Sequence, residues 1–115
     1  MHSDTLNETE RYSASKSTAP RVSLSDMEGK IERELYFNAA DMDAKCNGRG
    51  QNPDPLALLT ICILVMRNGF TIIGKSAPAS PENFDEEKGK RFAYEDAIKQ
   101  LWPLEGYALR ERLAG

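Results

Sequence analysis

The chain has 115 residues, 40% of them hydrophobic, and a formal net charge of −3 from 15 basic and 18 acidic side chains. That length and composition support one domain with a modest core. The acidic balance lacks the clustered Lys/Arg that a phosphate backbone requires, so nucleic-acid binding is not expected. The longest apolar run, Leu56 to Met66, is well short of the roughly 20 residues of a membrane-spanning helix.

Residues 1–20 are rich in Ser, Thr and charge, a composition that buries too little apolar surface to offset ordering. They are expected to form a flexible N-terminal arm, or an arm that docks on a neighbouring subunit, ahead of a single helical domain at 21–115. The first twenty residues show no apolar secretory core. The two cysteines, Cys46 and Cys62, form no C-x-x-C pair, and the expected compartment is a reducing cytoplasm.

Ser25 and Glu28 match the S-x-x-E capping box, with Leu24 as its staple, and predict a first helix. Met27, Ile31 and Leu35 recur along it at helical spacing, and Tyr36-Phe37 extends the same face. Asn38-Ala-Ala-Asp41 predicts a second short helical piece. Cys46 to Asn52, with two glycines among seven residues, predicts a loop.

Asp54-Pro55 has the chemistry of a helix start, an Asp cap followed by Pro in the first turn. Leu56 to Met66 is apolar nearly all round and is read as a buried or interface helix, ended by Asn68-Gly69. Its β-branched residues also suit a strand. Phe70 to Ile73 predicts a strand ending at Gly74. Ser80-Pro81, followed by acidic residues, predicts a further helix start, with Phe92, Ala93, Ala97 and Leu101 as its stripe. Trp102-Pro103 is expected to break or kink that helix, giving a C-terminal kinked helix pair. The fold class is therefore mainly α with a small β element, an α+β domain.

Gly69 to Ser76 spells G-x-x-x-x-G-K-S, the letters of a phosphate loop. Such a loop needs a preceding strand, a curled glycine-rich turn and a helix beginning at the lysine. Here a helix is expected to precede, the intervening Phe-Thr-Ile-Ile favours extended chain and Ala77-Pro78 follows the serine, so the match is read as chance. The single His2 lies in the arm, which leaves no Ser-His-Asp or Cys-His set in the folded part. Neither zinc nor another cofactor is expected. The carboxylate groups Asp41/Asp43 and Asp85-Glu86-Glu87 are read as solvated or helix-start charge. No catalytic residues are assigned, and an enzyme is not expected.

Candidate binding residues are the aromatics and arginines: Tyr36, Phe37, Arg91, Tyr94, Trp102, Tyr107, Arg110 and Arg112. Tyr, Trp and Arg carry the energetic hot spots of protein interfaces, and with guanidinium they also suit a nucleobase and its phosphate. Phe92 and Trp102 are read as core, while Tyr94, Tyr107 and Arg110 are better surface candidates. Tyr107 and Arg110 share a helix face.

Pro20-Arg-Val22, Glu34-Leu-Tyr-Phe37, Ser80-Pro-Glu-Asn-Phe-Asp85 and Trp102-Pro-Leu-Glu-Gly-Tyr107 resemble blocks of a small bacteriophage family labelled gene-product-49-like or gene-product-66-like. Ala39-Ala-Asp41, Leu58-Leu-Thr60 and Asn68-Gly-Phe-Thr71 fit the same likeness, which spans about 20–114. The resemblance implies an accessory protein of tailed phages or prophages acting in the bacterial host cytoplasm, and it brings no catalytic residues. By analogy, the expected role is counter-defence through binding a host protein. The alternatives are an oligomeric sponge for a cyclic nucleotide signal and a virion or assembly component. A homo-oligomer is expected.

Overall fold

The computed structural model of the chain describes residues 6–7, 20–48 and 55–115. The fold is α+β: three antiparallel strands in the order β1-β2-β3, with a long C-terminal helix across one face. Helix α1 spans Leu24–Gly29, strand β1 Ile31–Asn38 and helix α2 Ala39–Asn47. A 3-10 turn at Pro55–Leu58 leads into β2, Thr60–Met66, and β3 follows at Thr71–Ser76. A second 3-10 turn, Pro81–Asn83, precedes α3, Glu86–Ala114. The predicted arm lies outside the described residues except for Leu6, Asn7 and Pro20, and Leu6 is buried in the core.

The central apolar run is a strand and not the expected helix. Asn68-Gly69 fits a helix stop, but it is also the strongest short-range hairpin signal, and here it turns β2 into β3. Gly69 takes a φ of 90°, which its missing side chain permits. Met66 N donates to Phe70 O at 2.8 Å and Gly69 N to Met66 O at 2.9 Å. Asn68 Oδ1 accepts from Phe70 N at 2.9 Å, tightening the turn. Strand β2 reads as apolar throughout because both faces of the sheet are apolar at its centre. Thr60, Cys62, Leu64 and Met66 are buried beneath α3, while Ile61, Ile63 and Val65 face the other way.

The first helix is also corrected. Ser23, not Ser25, caps it, its Oγ accepting from Asp26 N at 3.0 Å. It ends at Gly29, and Ile31 and Leu35 belong to β1, paired with Met66 and Ile63 of β2. Good helix formers such as Glu32, Glu34 and Leu35 yield there to pairing with the central strand, a case of tertiary context outweighing propensity. The predicted second helical piece is present as α2. Asn38 caps it by accepting from Ala40 N at 2.9 Å, and donates to Ala57 O at 2.7 Å. Cys46 and Asn47 belong to α2, which Gly48 ends at φ 64°. Residues 49–52 of the expected loop lie outside the described residues, as does Asp54. The predicted strand is present as β3, and it runs past Gly74 to Ser76.

At the C-terminus, Ser80-Pro81 opens only the 3-10 turn, and Asp85 caps α3, its Oδ1 accepting from Lys88 N at 3.0 Å. Glu86 and Glu87 occupy the first turn, where negative charge suits the helix dipole. The expected kinked pair is one continuous 29-residue helix with Pro103 inside it. A proline there costs about 3 kcal/mol. Burial of the part that precedes it offsets that cost: Ala93, Tyr94, Ala97, Ile98 and Leu101 are buried, and Trp102 packs on the same core. Each large side chain so buried contributes about 1.5–3 kcal/mol.

Helix α3 lies very close to the sheet. A β-carbon on Gly74 would sit 2.0 Å from Ala93 O, and one on Gly89 would sit 2.6 Å from Thr60 Oγ1. Gly69 to Ser76 is thus a hairpin turn and a strand. The extended chain expected at Phe70 to Ile73 is present, but a strand and not the expected helix precedes it, and its second glycine packs against α3.

Candidate functional site

The hairpin tip and the C-terminal half of α3 enclose a cleft of about 510 Å³. Its apolar floor is Met66, Phe70, Leu101 and Leu104, and its rim carries Lys30, Arg67, Glu105 and Arg112. Three elements hold this geometry. The tight turn fixes Arg67 and Phe70 at the end of the sheet. Arg67 N donates to Lys30 O at 2.9 Å, tying the turn to the α1–β1 junction. Lys30 Nζ pairs with Glu105 Oε2 at 2.5 Å across the cleft, fastening α3 to that junction.

The charges do not cancel. Lys30 is matched by Glu105, whereas neither Arg67 nor Arg112 has an ion-pair partner among the described residues. Two guanidinium groups therefore border an apolar floor in a chain of net charge −3. Phe70 is 53% exposed and Leu104 48%, so part of the floor is open to a partner. An apolar cleft with a few fixed polar groups, between about 300 and 1,000 Å³, is the usual form of a recognition site.

A wider groove of about 630 Å³ runs between α2 and the start of α3, lined in part by Tyr36, Phe37, Asp41, Lys45 and Lys90. Its charges are mixed, and Lys90 is held by Glu86 at 3.6 Å and Glu87 at 3.9 Å. It offers less net attraction to a charged partner than the cleft does.

The eight candidate residues do not form one patch. Arg112 alone borders the cleft. Tyr36 and Phe37, successive residues of β1, point to opposite faces of the sheet; both line the wider groove. Tyr36 Oη donates to Glu34 Oε1 at 2.7 Å. Tyr94 is corrected from a surface candidate to a core residue: it is 1% exposed, and its Oη donates to Glu28 Oε2 at 2.6 Å. Burial, followed by these bonds to carboxylates, pushes both phenols well above their ordinary value. Burial likewise pushes the Cys62 thiol up to about 11. Phe92, expected in the core, is 49% exposed, with the Arg91 guanidinium 5.7 Å from its ring centre. Trp102 is partly buried against the core. Tyr107 is 70% exposed and Arg110 is exposed.

Sequence reasoning missed Lys30, Arg67, Phe70, Leu104 and Glu105. The available signal was Asn68-Gly69: read as a hairpin, it places Arg67 and Phe70 on either side of a loop tip. Among the described residues no group of three or more His, Cys, Asp or Glu could hold a metal ion, and no helix is long and apolar enough to cross a membrane.

A model of the Phage protein (N4 Gp49/phage Sf6 gene 66) family matches residues 22–113. The chain belongs to this family. The match takes in β1, the hairpin and nearly all of α3, and so every residue of the cleft. No curated protein and no solved structure matches the chain.

Proposed function

We propose that this phage protein is a counter-defence factor, acting in the host bacterial cytoplasm by binding and blocking a host protein through the hairpin–helix cleft. The observation that carries the reading is the pair of guanidiniums, Arg67 and Arg112, without an ion-pair partner among the described residues, beside the apolar floor of Phe70 and Leu104. Its complement is a segment with an apolar anchor flanked by carboxylates. Buried aromatic and aliphatic anchors supply most of the affinity of such contacts, and rim charges supply register and on-rate. Membership of a phage family is the second support.

The test compares the wild-type chain with the double variant Arg67→Glu/Arg112→Glu as baits in host lysate. A stoichiometric host protein held by the wild type and lost by the variant, then rebound as a purified pair, is the expected result. A cyclic nucleotide sponge would instead show a thermal shift with cyclic di- or trinucleotides and no protein partner. A virion component would be found in purified particles. Either outcome replaces the inhibitor reading.

A further inference from the structure

Among the described residues α3 covers one face of the sheet and leaves the other open, and the strand register shows what the open face presents. Three rows run across it: Arg33–Val65–Thr71, Leu35–Ile63–Ile73 and Phe37–Ile61–Lys75. Six of these nine side chains are apolar, two are cations and none is acidic. Leu35 is 37% exposed and Ile73 58%, although both stand in the middle row of a nearly all-apolar surface. Antiparallel sheets with one solvated face normally alternate apolar and polar residues. Here the β2 positions on that face, each partly exposed, are Ile61, Ile63 and Val65.

Strand addition at β3 does not account for this surface, because α3 blocks that edge. Lys75 N donates to Asp96 Oδ2 at 3.0 Å, and Gln100 Nε2 donates to Ile73 O at 2.8 Å. Covering an edge in this way prevents pairing with another chain. That edge is closed to pairing.

We infer that the open face is the contact surface for a second copy of this chain, packed sheet on sheet. The placement of the two cations argues for self-association. Arg33 and Lys75 stand at diagonally opposite corners of the nine positions. A two-fold axis parallel to the strands and midway between two copies places β1 of one over β3 of the other, row on row. Lys75 then lies over Phe37 of the partner subunit, a cation–π arrangement, and Arg33 lies over Thr71 of the partner subunit. Ile63 meets its own copy, and Leu35 meets Ile73 of the partner subunit. A two-fold across the strands also keeps cation from cation. The face is therefore self-complementary, as an isologous dimer requires, with the sheets about 10 Å apart in aligned packing. An acidic foreign partner would find only two cations there, both at corners.

Nine positions on each copy are fewer than the roughly 20–30 residues a side of a standard interface, so the dimer is expected to be weak and concentration-dependent. The cleft lies on the α3 side of the sheet and none of its lining residues is among the nine face positions, so the inference does not rest on the proposed function.

Sedimentation velocity on the full chain, from about 1 to about 500 μM, tests it with three variants. The wild type and Phe92→Glu, which alters an exposed position on α3, should pass from monomer to dimer. Ile73→Glu and Leu35→Glu should remain monomeric with unchanged far-ultraviolet circular dichroism. Two face positions are used so that misfolding of one variant leaves the other decisive. A wild type that stays monomeric throughout overturns the inference, as does a folded face variant that dimerises like the wild type. A dimer lost in Phe92→Glu but kept in the face variants assigns the contact to the helical side and likewise overturns it.

Discussion

Gly74 on β3 and Ala97 on α3 touch backbone to backbone: a β-carbon on the glycine would lie 2.7 Å from Ala97 N and 2.9 Å from Ala97 Cβ. This contact sets the depth at which the long helix lies on the sheet. It therefore also sets where the second half of α3 meets the hairpin to form the cleft.

Gly74→Ala should be clearly destabilising. The obstructing atoms are mostly backbone, with Ala93 O only 2.0 Å from the new methyl, so helix and strand must separate. Overpacking of this kind costs about 1–3 kcal/mol. Gly106→Ala is the control. Gly106 is also in α3, but a β-carbon there meets nothing within 4 Å, and the change should stabilise by about 0.5–1 kcal/mol. Urea denaturation midpoints should move in opposite directions for the two variants.

Pro103→Ala should raise the melting temperature. It restores a helix hydrogen bond at an exposed position in the middle of α3, and the expected gain is about 1 kcal/mol or more. A lower melting temperature would show that the proline makes a favourable contact of its own.

The helix–sheet positions also show what could be read from sequence. The α+β class, α2, β3 and the rejection of the phosphate loop all followed from local chemistry. Strand β2 did not, because a strand apolar on both faces has no visible alternation. Strand β1 did not, because Met27, Ile31 and Leu35 fall at helical spacing by coincidence, and only pairing with β2 selects the extended form. Helix α3 was divided at Pro103 because local cost is visible in sequence and the packing that outweighs it is not. The cleft was hidden for a related reason: Lys30, Arg67 and Glu105 are far apart in the chain and meet only once the hairpin exists. Tyr94 and Phe92, two apart on α3, exchanged their expected roles because Tyr94 Oη has a carboxylate to bond inside.

Alkaline pH should destabilise the fold in two stages. The buried Cys62 thiol is held at about 11 against an ordinary value of 9.0. The unfolded chain therefore releases that proton first, and stability present below pH 9 is lost progressively as pH rises to 11. The thiol's share is on the order of 2 kcal/mol. Tyr94 and Tyr36 are also raised, so their contribution is intact below about pH 10 and declines above it. Melting temperature against pH should fall from pH 9 upward in the wild type. In Cys62→Ala the decline should begin about one unit later.

Tyr94→Phe should cost about 1–2 kcal/mol through loss of the 2.6 Å bond to Glu28, because that bond ties α1 to α3. Its alkaline decline should also be shallower than that of the wild type, which a purely steric role for the ring would not produce.

The most direct measurement of the central claim is the affinity of the purified host partner for wild type, Arg67→Glu/Arg112→Glu and Arg110→Glu, by titration calorimetry at low and moderate salt. The cleft reading predicts at least about a hundredfold loss for the double variant, corresponding to about 2.7 kcal/mol, and little change for Arg110→Glu. Equal affinity of the double variant and the wild type would contradict it.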